Sequence, residues 1–135
     1  MKANNIAILG DGGWGTTLAL ILAQKKFKVT LWGAFKDYVS VVRKERVNKR
    51  FLPGIRLPRE IEITHDIKEA ITGKDIVVLA IPSQYMRQVL RKIKRHDFMA
   101  GTLFLSVTKG IEVGSWMRMS EVIHHELGNV RLAVL

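Results

Sequence analysis

The chain contains no cysteine among its 135 residues, which excludes disulfide frameworks, thiolate nucleophiles and cysteine-ligated zinc sites. It has only 3 prolines and an average hydrophobic content of 47%, so it is not a disordered sequence. Its longest apolar runs, Leu18–Ala23 and Ile76–Pro82, are far shorter than the roughly 20 residues that cross a bilayer. Since Met1–Asn5 carries no secretory leader pattern, we expect one soluble domain located in the cytoplasm.

Acidic residues are few, because 12 Asp and Glu stand against 22 Lys and Arg, for a net charge of +10. This balance favours anionic partners (nucleic acid, acidic lipid or phosphorylated small molecules) without choosing among them, and a merely solvated basic surface also fits. The basic segment Arg87–Arg95 is accompanied by no recognised nucleic-acid motif or aromatic stacking platform. We therefore expect no nucleic-acid partner.

The 4 histidines do not form a metal-binding pattern. His124 and His125 are followed by Glu126, but Asn129 stands where H-E-x-x-H requires its second histidine. Adjacent histidines also point to different faces of a helix. We therefore expect no metal site.

Short apolar runs alternate with amphipathic segments along the chain. This alternation is typical of an α/β fold of the Rossmann type, a doubly wound parallel sheet of strand order 3-2-1-4-5-6 with helices on both faces. Asp66 and Ser83 are predicted N-caps, and Gly73 is predicted to end the third helix. Strands are predicted at Ile6–Leu9, Lys28–Trp32, Ile61–Thr64, Asp75–Ile81, Thr102–Val107 and Arg131–Leu135, helices at 14–26, 36–48, 66–73, 83–95 and 114–127, and a loop at Lys49–Glu60.

A glycine-rich segment, Gly10–Gly15, fits G-x-G-x-x-G between the first strand and the first helix. In that pattern Gly10 permits the tight turn, Gly12 lets the backbone approach a pyrophosphate, and Gly15 lets helix and strand pack closely. The free N–H groups of the helix start then bind the anion. The alternative is a plain glycine-rich turn, but the surrounding βαβ unit favours a dinucleotide site.

The choice of dinucleotide is open at this point. An acidic residue that binds the adenosine ribose is expected about 20 residues after the glycines, at the end of the second strand. Trp32–Phe35 contains no carboxylate there. Lys36 and Arg43 follow closely enough to attract the 2′-phosphate of NADP, but a solvent-facing role fits them equally well.

Two further strand ends carry candidate residues. Pro82–Tyr85 follows the fourth strand, where these residues either end the strand and start a helix or line the nicotinamide side of the cleft. Lys109 follows the fifth strand, and ligands bind at the carboxyl ends of such strands. Its ammonium group would act as a point charge toward a substrate phosphate or carbonyl oxygen.

The motifs together resemble the N-terminal domain of bacterial-type NAD(P)-dependent glycerol-3-phosphate dehydrogenase, over essentially the whole chain. The resemblance implies reversible reduction of dihydroxyacetone phosphate to sn-glycerol 3-phosphate by hydride transfer from NADH or NADPH. The segments that carry it are Ile6–Gly15, Val29–Trp32, Asn48 with Phe51–Gly54, Pro82–Tyr85 and Thr108–Gly110.

The same resemblance implies which residues contact ligands. Lys109 matches a lysine that touches both cofactor and substrate. Ala34 stands where bacterial members often carry a basic or polar residue facing the adenosine ribose, so the resemblance supports no claim about a preference for NADP. The cofactor contacts implied are Gly10, Gly12, Gly13, Trp14, Gly15, Ala34, Phe35, Tyr85 and Lys109.

Family members continue beyond Leu135 into a helical substrate domain that carries the proton-transfer lysine. Residues 1–135 are therefore expected to be the NAD(P)-binding domain, with no catalytic residue, weak dinucleotide binding and no turnover of their own. Without the second domain, apolar surface would be exposed and favour self-association. The alternatives are a non-catalytic dinucleotide-binding module and a dehydrogenase of another hydroxy compound.

Overall fold

A computed structural model describes residues 4–98 and 100–135. Within those residues, none of the helices has the length and apolar character that a bilayer span requires. The strands are β1 (Asn5–Leu9), β2 (Lys28–Trp32), β3 (Val47–Asn48), β4 (Leu52–Arg56), β5 (Glu62–Thr64), β6 (Ile76–Leu79), β7 (Leu103–Ser106) and β8 (Arg131–Val134). The helices are α1 (Gly13–Gln24), α2 (Lys36–Glu45), α3 (Ile67–Ile71), α4 (Ser83–Ile93) and α5 (Met119–Leu127).

Six of the strands form one parallel sheet in the order β5-β2-β1-β6-β7-β8. When these six strands are numbered 1 to 6 in chain order, the sheet has the order 3-2-1-4-5-6. This order confirms the predicted topology. Both faces of the sheet are covered, because alternate residues of β1 enter different cores. Ala7 and Leu9 pack with α3, α4 and α5, whereas Ile6 and Ile8 pack with α1 and α2.

The segment after the second strand differs from the prediction. Helix α2 ends at Glu45, not at Asn48, because Arg46 takes a left-handed conformation with φ of +57°. The expected loop at Lys49–Glu60 instead contains β4, which pairs antiparallel with β3. The loop prediction was wrong because Pro53–Gly54, a pair that usually indicates a turn, lies here in a strand that pairs, among the described residues, only with β3. The early end of α2 was missed because an arginine rarely adopts a left-handed conformation.

Two helix starts also correct the prediction. Ser83 is the first residue of α4, and Pro82 is the N-cap, so Ser83 does not cap the helix. Helix α5 starts at Met119, not at Gly114, because Gly114 and Trp116 have φ values of +93° and +60° that a right-handed helix cannot accommodate. The predicted cap at Asp66 is confirmed, since its carboxylate accepts a 3.1 Å hydrogen bond from the backbone N–H of Glu69.

Candidate functional site

The carboxyl ends of four neighbouring strands lie in line. Leu9 is in register with Trp32 on one side and with Leu79 on the other, and Leu79 is in register with Ser106. The segments that follow β2, β1, β6 and β7 therefore meet at one edge of the sheet. The chain leaves β1 toward one face and β6 toward the other, and this switch point is where open α/β sheets form a ligand crevice.

Gly10 and Gly15 are required by close backbone packing at this switch point. Gly10 has φ of +119°, and a Cβ built on it would overlap the carbonyl oxygen of Ala80. A Cβ on Gly15 would overlap the carbonyl oxygen of Gly10 and lie 3.1 Å from its carbonyl carbon. Both positions therefore exclude every side chain, as the motif predicts.

Gly12 differs from these two glycines because it faces open space. It is the N-cap of α1, and a Cβ built on it would meet no atom within 4 Å. It has no side chain that could accept a hydrogen bond from the first amides of the helix, and no acidic residue stands in the first turn. The start of α1 thus presents backbone N–H groups and the positive end of the helix dipole to the open space beside Gly12, an arrangement that fits a pyrophosphate.

The short hairpin of β3 and β4 holds the glycine loop in place through Asn48, which is fully buried. The Asn48 amide nitrogen donates to the carbonyl oxygen of Asp11 at 2.7 Å and to Oγ1 of Thr16 at 2.9 Å. Its amide oxygen accepts from the hydroxyl of Tyr38 at 2.6 Å. Gly13 lies against the same hairpin, since a Cβ on it would be 3.0 Å from the carbonyl oxygen of Phe51. Sequence reasoning noted Asn48 without a role, because its partners lie far away along the chain.

Replacing Asn48 with alanine is expected to lower the free energy of unfolding by about 2 kcal/mol, because it leaves buried partners without hydrogen bonds. Urea denaturation measures the loss, and NADH affinity should fall as the loop loosens. Asn129→Ala, at an exposed site, is the matched control and should stay near the wild type. An Asn48→Ala variant as stable as the control would show that this side chain does not hold the loop.

The aromatic residues of the predicted site are exposed around the same edge. Trp14 is 52% exposed at the start of α1, Phe35 is 70% exposed ahead of α2, and Tyr85 is 60% exposed in the first turn of α4. Ala34, beside Phe35, is also exposed. The three aromatic side chains do not pack into either hydrophobic core, so their apolar surfaces are available to a ligand.

Lys109 is exposed at the end of β7 and is brought beside the start of α4. The hydroxyl of Thr108 donates to the carbonyl oxygens of Leu79 at 3.1 Å and Ile81 at 2.7 Å, which fixes the chain just before the lysine. A Cβ on Gly110 would be 3.2 Å from Oγ of Ser83. Lys109 and Tyr85 thus belong to the β6–β7 side of the edge. Phe35 belongs to the β2 side, three strand spacings or roughly 14 Å from β7.

One of the two cations considered for a 2′-phosphate is already engaged. Nε of Arg43 donates to the carbonyl oxygen of Ile63 at 2.7 Å, so this group ties α2 to β5. Lys36 is exposed at the first position of α2. Both residues are exposed, but within the described part of the chain only Arg43 is tied to the sheet by a hydrogen bond.

An ion-pair network that sequence reasoning missed braces the segment after Lys109. Arg87 binds both carboxylate oxygens of Glu112 at 2.8 Å and one oxygen of Glu126 at 2.6 Å. The Arg87 guanidinium and the Ser115 hydroxyl lower the pKa of Glu112 to about 2. Arg91 also pairs with Glu126, so two cations of the basic segment are engaged in holding α4 and α5 together.

The fold and this edge define a Rossmann-type domain with a glycine-rich loop at the switch point of its sheet, a class whose members hold nucleotides there. Residues 5–135 match the family described as NAD-dependent glycerol-3-phosphate dehydrogenase N-terminus. The chain belongs to this family.

Curated relatives and solved structures agree with this assignment. The chain is 46% identical over 123 residues to a glycerol-3-phosphate dehydrogenase [NAD(P)+] of Syntrophomonas wolfei, covering 91% of this chain and 36% of the relative. It is 42% identical over 124 residues to that of Geobacillus kaustophilus, covering 92% and 36%. The crystal structure of glycerol-3-phosphate dehydrogenase from Coxiella burnetii superposes with a TM-score of 0.90 at 38% identity, covering 98% of this chain and 40% of that one. The chain thus spans a little over a third of the length of the curated relatives it matches.

Proposed function

We propose that residues 1–135 form the NAD(P)-binding part of an sn-glycerol-3-phosphate dehydrogenase, which interconverts dihydroxyacetone phosphate and sn-glycerol 3-phosphate. The single observation that carries the proposal is the uncapped start of α1 at Gly12, which faces open space at the switch point of the sheet. The family to which the chain belongs supplies the reaction class. When bound, the dinucleotide supplies the hydride.

Each part of the edge then has a role toward the ligands. The amides of Gly13, Trp14 and Gly15 bind the pyrophosphate, and Gly10 keeps the turn tight enough to aim them. Ala34 and Phe35 line the adenosine side, because they follow β2. Tyr85 lines the nicotinamide side.

Lys109 is proposed to bind the substrate as well as the cofactor. It follows β7, on the same side of the switch point as Tyr85, and it is exposed. Its positive charge suits the phosphate or the carbonyl oxygen of a small phosphorylated substrate. We propose that residues 1–135 bind dinucleotide without turning over substrate, and that proton transfer belongs to a separate substrate domain. Cytoplasmic location, self-association through exposed apolar surface and the absence of a nucleic-acid partner also stay predictions.

Calorimetric titration of the 135-residue chain with NADH and NADPH tests the proposal, alongside a steady-state assay with dihydroxyacetone phosphate. We expect saturable binding of a dinucleotide in a 1:1 ratio and no measurable turnover. Binding that is absent for both dinucleotides would overturn the proposed function. Robust turnover would leave dinucleotide binding intact but would contradict the assignment of proton transfer to another domain.

A further inference from the structure

The end of β2 lacks the acidic residue that a ribose-binding site requires, but a carboxylate is present there in space. Gly33 directly follows β2 and is buried. A Cβ built on Gly33 would overlap Oδ2 of Asp11 and lie 2.7 Å from the carboxyl carbon of Asp11. The carboxylate of Asp11 therefore occupies the volume that a side chain at position 33 would begin to fill.

The backbone of Asp11 is fixed where it places this carboxylate. Its carbonyl oxygen accepts hydrogen bonds from Thr16 Oγ1 at 3.2 Å and from Asn48 Nδ2 at 2.7 Å. The N–H of Gly10, the preceding residue, donates to the carbonyl oxygen of Trp32 at 2.9 Å, which ties the glycine loop to the end of β2. The backbone at Asp11 is thus fixed by hydrogen bonds to its own carbonyl oxygen and by the hydrogen bond of the preceding N–H group.

The carboxylate itself lacks a strong partner. Burial raises the pKa of Asp11, and this effect is opposed by the backbone N–H of Asp11 and by the charge of Arg50. Among residues 4–98 and 100–135, no side chain donates a hydrogen bond to it. A hydroxyl group that donates to this carboxylate would offset its desolvation.

We propose that Asp11 determines the choice of dinucleotide: its carboxylate accepts hydrogen bonds from the hydroxyls of the adenosine ribose and repels the 2′-phosphate of NADP(H). The inference rests on the proposed function and adds the residue that selects NAD(H). In related folds this acidic residue comes from the chain about 20 residues after the glycines. Here it comes from within the glycine loop, and Gly33 leaves the room for it.

Asp11→Asn tests the proposal because it removes the negative charge and keeps the size of the side chain. Titration calorimetry would give dissociation constants for NADH and NADPH. The wild type is expected to bind NADH at least about tenfold more tightly than NADPH, and Asp11→Asn to reduce this ratio by roughly tenfold, mainly through tighter NADPH binding. Circular dichroism melting would verify that the variant folds, and Asp11→Gly, which removes the whole side chain, provides a second variant.

Asp37→Asn is the matched control, since Asp37 is an exposed carboxylate in the first turn of α2 close to the end of β2. It should leave the ratio of the two dissociation constants unchanged. An unchanged ratio in folded Asp11 variants, or a wild type that prefers NADPH, would overturn the role of Asp11 while dinucleotide binding stands. If Asp37→Asn changed the ratio of the two dissociation constants and Asp11→Asn did not, Asp37 and not Asp11 would be the residue that selects the dinucleotide. Failure of the wild type to bind either dinucleotide would overturn the proposed function and this inference together.

Discussion

Replacing Gly15 with alanine is expected to lower the free energy of unfolding by about 3 kcal/mol or more. The added Cβ would overlap the carbonyl oxygen of Gly10, which belongs to the backbone and cannot rotate away like a side chain. Gly10 is in turn pressed against the carbonyl of Ala80 and bonded to Trp32, so the strain would spread to β6 and β2. Relief requires α1 to move away from the sheet, which opens the core between them.

Urea denaturation of Gly15→Ala measures this loss. Gly12→Ala is the matched control, because it adds the same methyl group three residues earlier, where nothing lies within 4 Å. The control should stay within about 1 kcal/mol of the wild type, since an N-cap alanine is only moderately unfavourable. If Gly15→Ala were as stable as Gly12→Ala, the close contact of α1 with the glycine loop would be refuted.

The Gly12→Ala variant itself is expected to bind dinucleotide at least about thirtyfold more weakly while remaining folded. Its new methyl group would stand in the open space in front of the first amides of α1, where the pyrophosphate has to approach. The helix and its packing against the sheet would be unaffected. Gly15→Ala should therefore lose stability, whereas Gly12→Ala should lose dinucleotide affinity and stay stable.

Calorimetry with NADH compares Gly12→Ala with Ser40→Ala, an exposed change on α2. The serine variant should bind like the wild type. A Gly12→Ala variant that retains wild-type affinity would show that the pyrophosphate does not approach Gly12.

The sheet order and the glycine loop could be predicted from the sequence because they depend on local signals. Buried parallel strands appear as short apolar runs, and G-x-G-x-x-G lies directly between the first strand and helix. The hairpin and the late start of α5 could not be predicted in this way. The hairpin strand contains Pro53 and Gly54, which usually indicate a turn. The start of α5 is delayed by positive φ at Gly114 and at Trp116, and a tryptophan rarely adopts that conformation.

The supporting contacts of the site were out of reach of sequence reasoning for another physical reason. Asn48 reaches Asp11 from 37 positions away, and Arg87 reaches Glu126 from 39 positions away. No periodicity or spacing rule connects such pairs. The carboxylate near the end of β2 is the sharpest case, because Trp32–Phe35 contains no acid and the structure supplies one from Asp11.

The central claim is that the start of α1 at the glycine loop holds the pyrophosphate of a nicotinamide dinucleotide. The most direct measurement is titration of ¹⁵N-labelled chain with NADH, followed by the backbone amide resonances. The largest shifts are expected at Gly12, Gly13, Trp14 and Gly15, with smaller ones at the ends of β2 and β6. Shifts concentrated instead on the basic helix α4, with the glycine-loop amides unmoved, would contradict the account.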